Sequence, residues 1–312
     1  MKNPAKVPIV CHGHARPIVD VQFSHITADG YFLASASKDG SPMLRHGDSG
    51  DWYGTFAGHK GAVWSCVLNP SALLCATGSA DFSARVWDAC SGNQLHEFQH
   101  NHIVRTTAFA QTSSKLATGG MEKMVRIYDL DKTDQAPELY PAQASGLRCM
   151  AWLNNDNLLL CSFTDKNGMT AFDTRSKQVV RTIETDAPIQ SIEVSFDQQH
   201  LTTAEGKIVR FFDAATLQQV KQHKLPRANA ESASYCAEKG IFVAGGEDMW
   251  VRVFNYETGQ ELECNKGHHG PVHAIRFAPT YDTFASGSED GTIRIWHVED
   301  SPAVVAEPNG AV

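Results

Sequence analysis

His59, Thr77, Asp81 and Trp87 stand at intervals of 18, 4 and 6 residues, and His268, Ser286, Asp290 and Trp296 repeat those intervals. A histidine, a hydroxyl and a carboxylate placed within reach of one another invite a catalytic reading. The same groups can instead form a hydrogen-bonded chain that links a loop to two strands and rigidifies them. Recurrence along the chain favours the second reading, because an active site is not usually repeated around a fold. The other signatures of chemistry are missing: no G-x-x-x-x-G-K-[ST] phosphate loop, no H-E-x-x-H and no G-x-S-x-G occurs. His100 with His102, and His268 with His269, lie close enough for metal binding, but one member of each pair takes the recurrent histidine position. No catalytic residue, cofactor or metal ligand is therefore assigned, and the chain is not expected to be an enzyme.

The elements that position these residues follow from a period. Asp39, Asp81, Glu122, Asp165, Gly206, Asp248 and Asp290 mark one turn per repeat, at spacings of 42, 41, 43, 41, 42 and 42. Repeats of roughly 40–45 residues with Gly-His early and Trp-Asp late signify four-stranded propeller blades. Within the second unit the strands read AVWSCVL, LLCATGS and ARVWD, separated by Asn69-Pro70 and by Ala80-Asp81-Phe82. The expected fold is thus all-β, a seven-bladed propeller over residues 1–298, followed by a short flexible tail at 299–312. A blade cannot hide its two apolar faces alone, so the ring must close. Val7 to Val10 is expected to supply the outer strand of the blade built from Val272 to Trp296.

The units are unequal. Glu122 and Tyr128 replace the acid and the aromatic in the third, Arg45 stands at the Trp87 position in the first, and Gly206 leaves the fifth without an acid. Gln143 takes the histidine position of the fourth and Ala244 the hydroxyl position of the sixth.

Composition agrees with a packed domain: of 312 residues, 42% are hydrophobic and 20% charged. A net charge of -8 argues against broad attraction to nucleic acid or anionic membrane, so any RNA contact must be local. The eight cysteines form no C-x-x-C pair, which suggests reduced thiols. Neither a signal peptide nor a membrane span is evident, and a soluble intracellular protein is expected.

Chain position also suggests where a partner would sit. Residues three and five after the blade histidine, and the one before the turn acid, are expected on the narrower rim of the ring. Lys38, Arg105 and Arg148, with Trp64 as an exposed aromatic, fall over blades 1 to 4. Glu205, Glu231, Glu247 and Glu289, with His273, fall over blades 5 to 7. A Trp flanked by Arg suits a protein hot spot or the stacking of a single-stranded base, and both alternatives stand.

The repeat resembles the WD-repeat superfamily, and particular strings resemble one family within it, the serine-threonine kinase receptor-associated proteins. They are GHARPIVDVQFSHITADGYFLASASKDGSPMLRHGDSGDWYGTFAGHKGAVW, DFSARVWDACSG, HNHIVRTTAF, TGGMEKMVRIYDL, FVAGGED and GSEDGTIRIW. PMLRHGD, standing where a Trp-Asp strand is usual, is the distinctive one. The resemblance runs from about Gly13 to Trp296 and weakens in blades 4 and 5. It implies a monomeric adaptor of the survival-of-motor-neuron complex, which loads Sm proteins onto small nuclear RNAs for mRNA splicing, in cytoplasm and nucleus. It further implies links to an RNA-binding translation regulator and to receptor signalling. Its partners would be ribonucleoprotein-assembly proteins, with RNA reached indirectly and no membrane or small-molecule substrate. The i subunit of eukaryotic initiation factor 3 is a second resemblance, and PMLRHGDSGDW favours the first.

Overall fold

Alternating side chains along each strand are buried on both faces, as in the inner strand Val63–Leu68, and this calls for neighbours on either side. The computed structural model describes residues 7–141, 143–227 and 229–298, so the tail expected at 299–312 lies outside the described residues. Seven four-stranded antiparallel sheets form the blades of a β-propeller, and no helix occurs among the described residues. Blade 1 runs outward through Ile18–Phe23, Phe32–Ser37, Met43–His46 and Trp52–Thr55. Blades 2 to 6 repeat that order from inner strands at Val63–Leu68, Val104–Phe109, Leu147–Leu153, Ser191–Val194 and Ala230–Cys236. The core lies between blades: Ala34, Leu44 and Phe56 meet Val63, Cys66, Cys75 and Trp87 of the next sheet. All eight cysteines are free thiols.

Blade 7 takes Val272–Phe277, Thr283–Ser288 and Ile293–His297 from one end of the chain and Ile9–Cys11 from the other. Ile9 pairs with Ile295, Val10 with Arg294 and Cys11 with Ile293. The closing strand thus begins two residues later than the expected Val7–Val10 and ends one residue later. Pro8 explains the shift, since it has no N–H to give to a ladder and the pairing begins immediately after it. Blade 1 locks the joint. Its Arg45 pairs across from Leu33, the place Trp87 holds opposite Cys75, and its buried guanidinium donates to the Gly50 carbonyl at 3.1 Å and to the His12 carbonyl.

In blade 2, Trp87 Nε1 donates to Thr77 Oγ1 at 2.8 Å, which lies 2.7 Å from His59 Nε2, and His59 Nδ1 lies 2.8 Å from Asp81. With the Nδ1 proton directed at the carboxylate, Nε2 accepts from Thr77 and each donor in the chain is used once. Trp296, Ser286, His268 and Asp290 repeat this at 2.9, 2.8 and 3.0 Å. Burial pushes the Asp81 carboxyl up, but hydrogen bonds from His59, Ser83 and the Lys60 amide outweigh it and hold the carboxyl well below the usual range. Blade 3 is looser, with His100 at 3.2 Å from both Glu122 and Thr118 and at 3.5 Å from the Tyr128 hydroxyl.

Blade 5 departs from the expected register. Ser191 pairs with Ala204 as Ser65 pairs with Gly78, so Glu205 takes the place of buried Ser79, one position earlier than the repeat marker implies. The cause is a shorter hairpin: Glu205 faces Ile208 across Gly206 and Lys207, and Gly206 adopts φ +58. The blade therefore has an acid after all. Glu205 points inward and binds the Arg210 side chain.

Candidate functional site

One local irregularity aims the rim residues. In six blades the inner strand skips a register step, between Ile18 and Asp20, Val63 and Ser65, Val104 and Thr106, Leu147 and Met150, Ala230 and Ser232, and Val272 and Ala274. The residues left out of the ladder include Val19, Trp64, Arg105, Arg148, Glu231 and His273. A bulge bends the strand and re-aims its extra side chain. Here it turns all six toward the mouth of the central channel, whose cavity of about 500 Å³ they line together with Lys38.

The mouth is a continuous belt of side chains. Trp64 is half-buried rather than exposed, because Arg105 lies over its ring at 4.4 Å from the centroid and Lys38 at 5.8 Å. Lys38 Nζ reaches Glu289 at 3.7 Å. Glu289 then accepts from His273 Nε2 at 2.6 Å, and His273 Nδ1 meets Glu231 at 2.6 Å. Only a doubly protonated ring donates to both carboxylates. Burial alone would lower the His273 pKa, but the hydrogen bonds to Glu231 and Glu289 raise it. The acidic arc is thereby largely neutralised by its own neighbours.

The basic arc is not. Arg148 donates Nε to the Gln190 carbonyl at 3.2 Å, and neither it nor Arg105 has a carboxylate partner among the described residues. Burial, and then the charge of Arg148, lower the Arg105 pKa. Of the remaining rim candidates, Glu247 is exposed and holds the Asn229 amide at 3.0 Å, while Glu205 belongs to the blade interior and leaves the rim altogether. The residues His59, Thr77, Asp81, Trp87, His268, Ser286, Asp290 and Trp296 stay within their own blades and away from the channel lining.

Deeper in the channel stand three charges that the rim pattern does not reach. Arg276 donates to Ser191 at 3.2 Å and Ser232 at 2.9 Å and lies near Asp20 and Glu193. Burial raises these two carboxyls to about 6 and about 7, against the pull of Arg276. The signal available in the sequence was a charge inside an otherwise apolar inner strand, as in VDVQF, SIEV and AIRF.

Comparison with known proteins places this geometry. The WD domain, G-beta repeat family matches residues 50–88, 92–129 and 259–297. Serine-threonine kinase receptor-associated protein of Gallus gallus is 45% identical over 291 residues, covering 93% of this chain and 82% of that protein. Its counterpart in Dictyostelium discoideum is 41% identical over 289 residues, covering 93% and 98%. The chain belongs to the serine-threonine kinase receptor-associated protein family. The human relative of that family, at 44% identity, covers the same shares as the chicken one. Subunit I of eukaryotic translation initiation factor 3 from Drosophila melanogaster is 27% identical over 315 residues and stands further off. Both the fold and the receptor-associated family point to a scaffold that binds proteins.

Proposed function

We propose that this chain is a non-catalytic protein-interaction scaffold, an adaptor of the survival-of-motor-neuron complex in spliceosomal snRNP assembly, acting in cytoplasm and nucleus. The observation that carries this reading is family membership spread over 93% of the chain, so that all seven blades and the channel mouth belong to the shared unit. The partner surface in this reading is the mouth lined by Lys38, Trp64, Arg105, Arg148, Glu231 and His273. RNA is reached through partner proteins, because the indole of Trp64 is already occupied by two cations. The relatives' name also supports association with a serine-threonine kinase receptor. Affinity purification of the tagged full chain, with mass spectrometry of what accompanies it, tests the proposal. Sm-assembly components should dominate. Initiation factor 3 subunits in their place would move the chain to translation, and a set without either would remove the adaptor role.

A further inference from the structure

Three side chains at the channel mouth keep donors that meet no acceptor among the described residues. Arg105 stacks on Trp64 and has no carboxylate partner among the described residues, and Arg148 uses only Nε, on a neutral carbonyl. Trp64 Nε1 is buried with no hydrogen-bond partner among the described residues. Two guanidinium groups in a half-buried recess, without a counter-charge, repel one another and are poorly hydrated. The lowered pKa of Arg105, from burial and then from Arg148, is the same strain seen from the proton's side. Lys38, Glu289, His273 and Glu231 balance each other in one connected belt, so the uncompensated charge lining the channel mouth is the positive pair on blades 3 and 4.

Resting on the scaffold reading above, we infer that Trp64, Arg105 and Arg148 form a pocket for the carboxylate of a short acidic segment in a partner protein. The chemistry of the donors is one-sided: guanidinium and indole N–H groups can only donate, so the ligand atom must be an acceptor, and paired guanidinium forks match a carboxylate. The surroundings separate a peptide from RNA. Arg105 and Lys38 already lie over the Trp64 ring, so a stacking base would have to displace a cation. An RNA strand carries a phosphate at each nucleotide, whereas the positive charge left without a carboxylate partner among the described residues is confined to Arg105 and Arg148, and Glu247 stands exposed on the crest. A peptide can place its acid at the basic arc and other residues against the acidic one. The cavity of about 500 Å³ accepts side chains inserted from such a segment.

Binding of the full chain to an array of dodecapeptides bearing zero to four consecutive Asp or Glu tests the pocket. Parallel arms carry phosphoserine in the same places or a twelve-nucleotide oligouridylate. Binding should grow with the number of carboxylates and weaken at least about tenfold in Arg105→Glu and in Arg148→Glu. Trp64→Phe keeps the ring but removes the N–H, and should lose about three- to tenfold. Arg105→Gln and Arg148→Gln, with melting temperatures recorded, serve if a charge reversal disturbs the fold. Absence of binding to acidic peptides, or binding unchanged in the arginine variants, overturns the pocket. Preference for phosphoserine overturns the carboxylate, and preference for oligouridylate overturns the peptide. Co-purification of the same assembly proteins by the Arg148→Glu chain would show the pocket wrong while the scaffold reading stands.

Discussion

Arg45 of blade 1 donates to the backbone carbonyl of His12, so the first blade grips the end of the strand that completes the seventh. Closure therefore draws on the ladder of Ile9–Cys11 along Ile293–His297 and on this clamp, beside the core that Ile18, Val21 and Leu33 of blade 1 share with Ala274 and Ala285 of blade 7. Deleting residues 1–12 should bare the edge at Ile293 and Ile295, lower the melting temperature and reduce solubility. Arg45→Met keeps the bulk but abandons two carbonyls, and should cost roughly 1.5–3 kcal/mol in a denaturant titration. A truncated chain that melts like the full one would show that the outer strand contributes nothing to closure.

Asp81→Ala removes a carboxylate that receives His59 Nδ1, the amides of Lys60 and Ser83, and the Ser83 hydroxyl. A loss of roughly 2–4 kcal/mol is expected, because a satisfied buried chain becomes a set of stranded donors. Gly206→Ala provides the comparison. The added Cβ would find no atom nearer than Asn229 Oδ1 at 3.9 Å, so only the cost of φ +58 remains, about 1 kcal/mol. Urea denaturation of both variants checks the ratio, and equal losses would mean that the blade 2 chain adds no more stability than the backbone strain at Gly206 removes.

Glu193 titrates in the channel wall, where it accepts from Ser234 Oγ at 2.7 Å and burial raises its carboxyl to about 7. The folded state then keeps a proton that the unfolded chain releases near 4.5, so the stabilising effect is present at low pH and drains away as pH rises through about 7. Glu193→Gln does not titrate. The stability of this variant minus that of the natural chain should climb across that window by up to roughly 3 kcal/mol and level off above it. Denaturant melts spanning the window give the difference directly. A flat line would place Glu193 in ordinary solvent contact.

Trp64→Ala separates fold from function. Its half-buried ring and two cation contacts predict a stability loss of roughly 1 kcal/mol. If the mouth carries the partner, affinity should fall by at least about 2 kcal/mol, near thirtyfold. Glu247→Lys, on the opposite crest, is the control. Titration calorimetry with a purified partner reads both, and loss confined to Glu247→Lys would move the contact over blades 5 to 7.

The ring was legible because its physics repeats: each sheet buries two faces, so strand alternation, turn acids and small turn residues recur at one period from Asp39 to Asp290. The rim was legible only as chain positions. Val19, Trp64, Arg105, Arg148, Glu231 and His273 share no side-chain property, so the backbone bulge that turns them inward leaves no trace in residue type. Glu205 shows the opposite failure. One residue missing from a hairpin moved it from crest to interior, and a marker counted by spacing could not register the loss. Charge balance was hidden for a third reason, since the imidazole of His273 joins Glu231 and Glu289 from neighbouring blades.

The strand Ile9–Cys11 is synthesised before any blade and cannot pair until Ile293–His297 exists. Until then the nascent chain holds apolar faces and an open edge without their final cover, and the contact that completes the circle is the most distant in sequence. Such a topology folds slowly and late, with its aggregation risk concentrated in the interval between the first blade and the last. Cellular yield of this protein should depend on how long chaperones shelter the incomplete ring, and substitutions in Ile9–Cys11 should lower abundance more than they alter the activity of the molecules that succeed in closing.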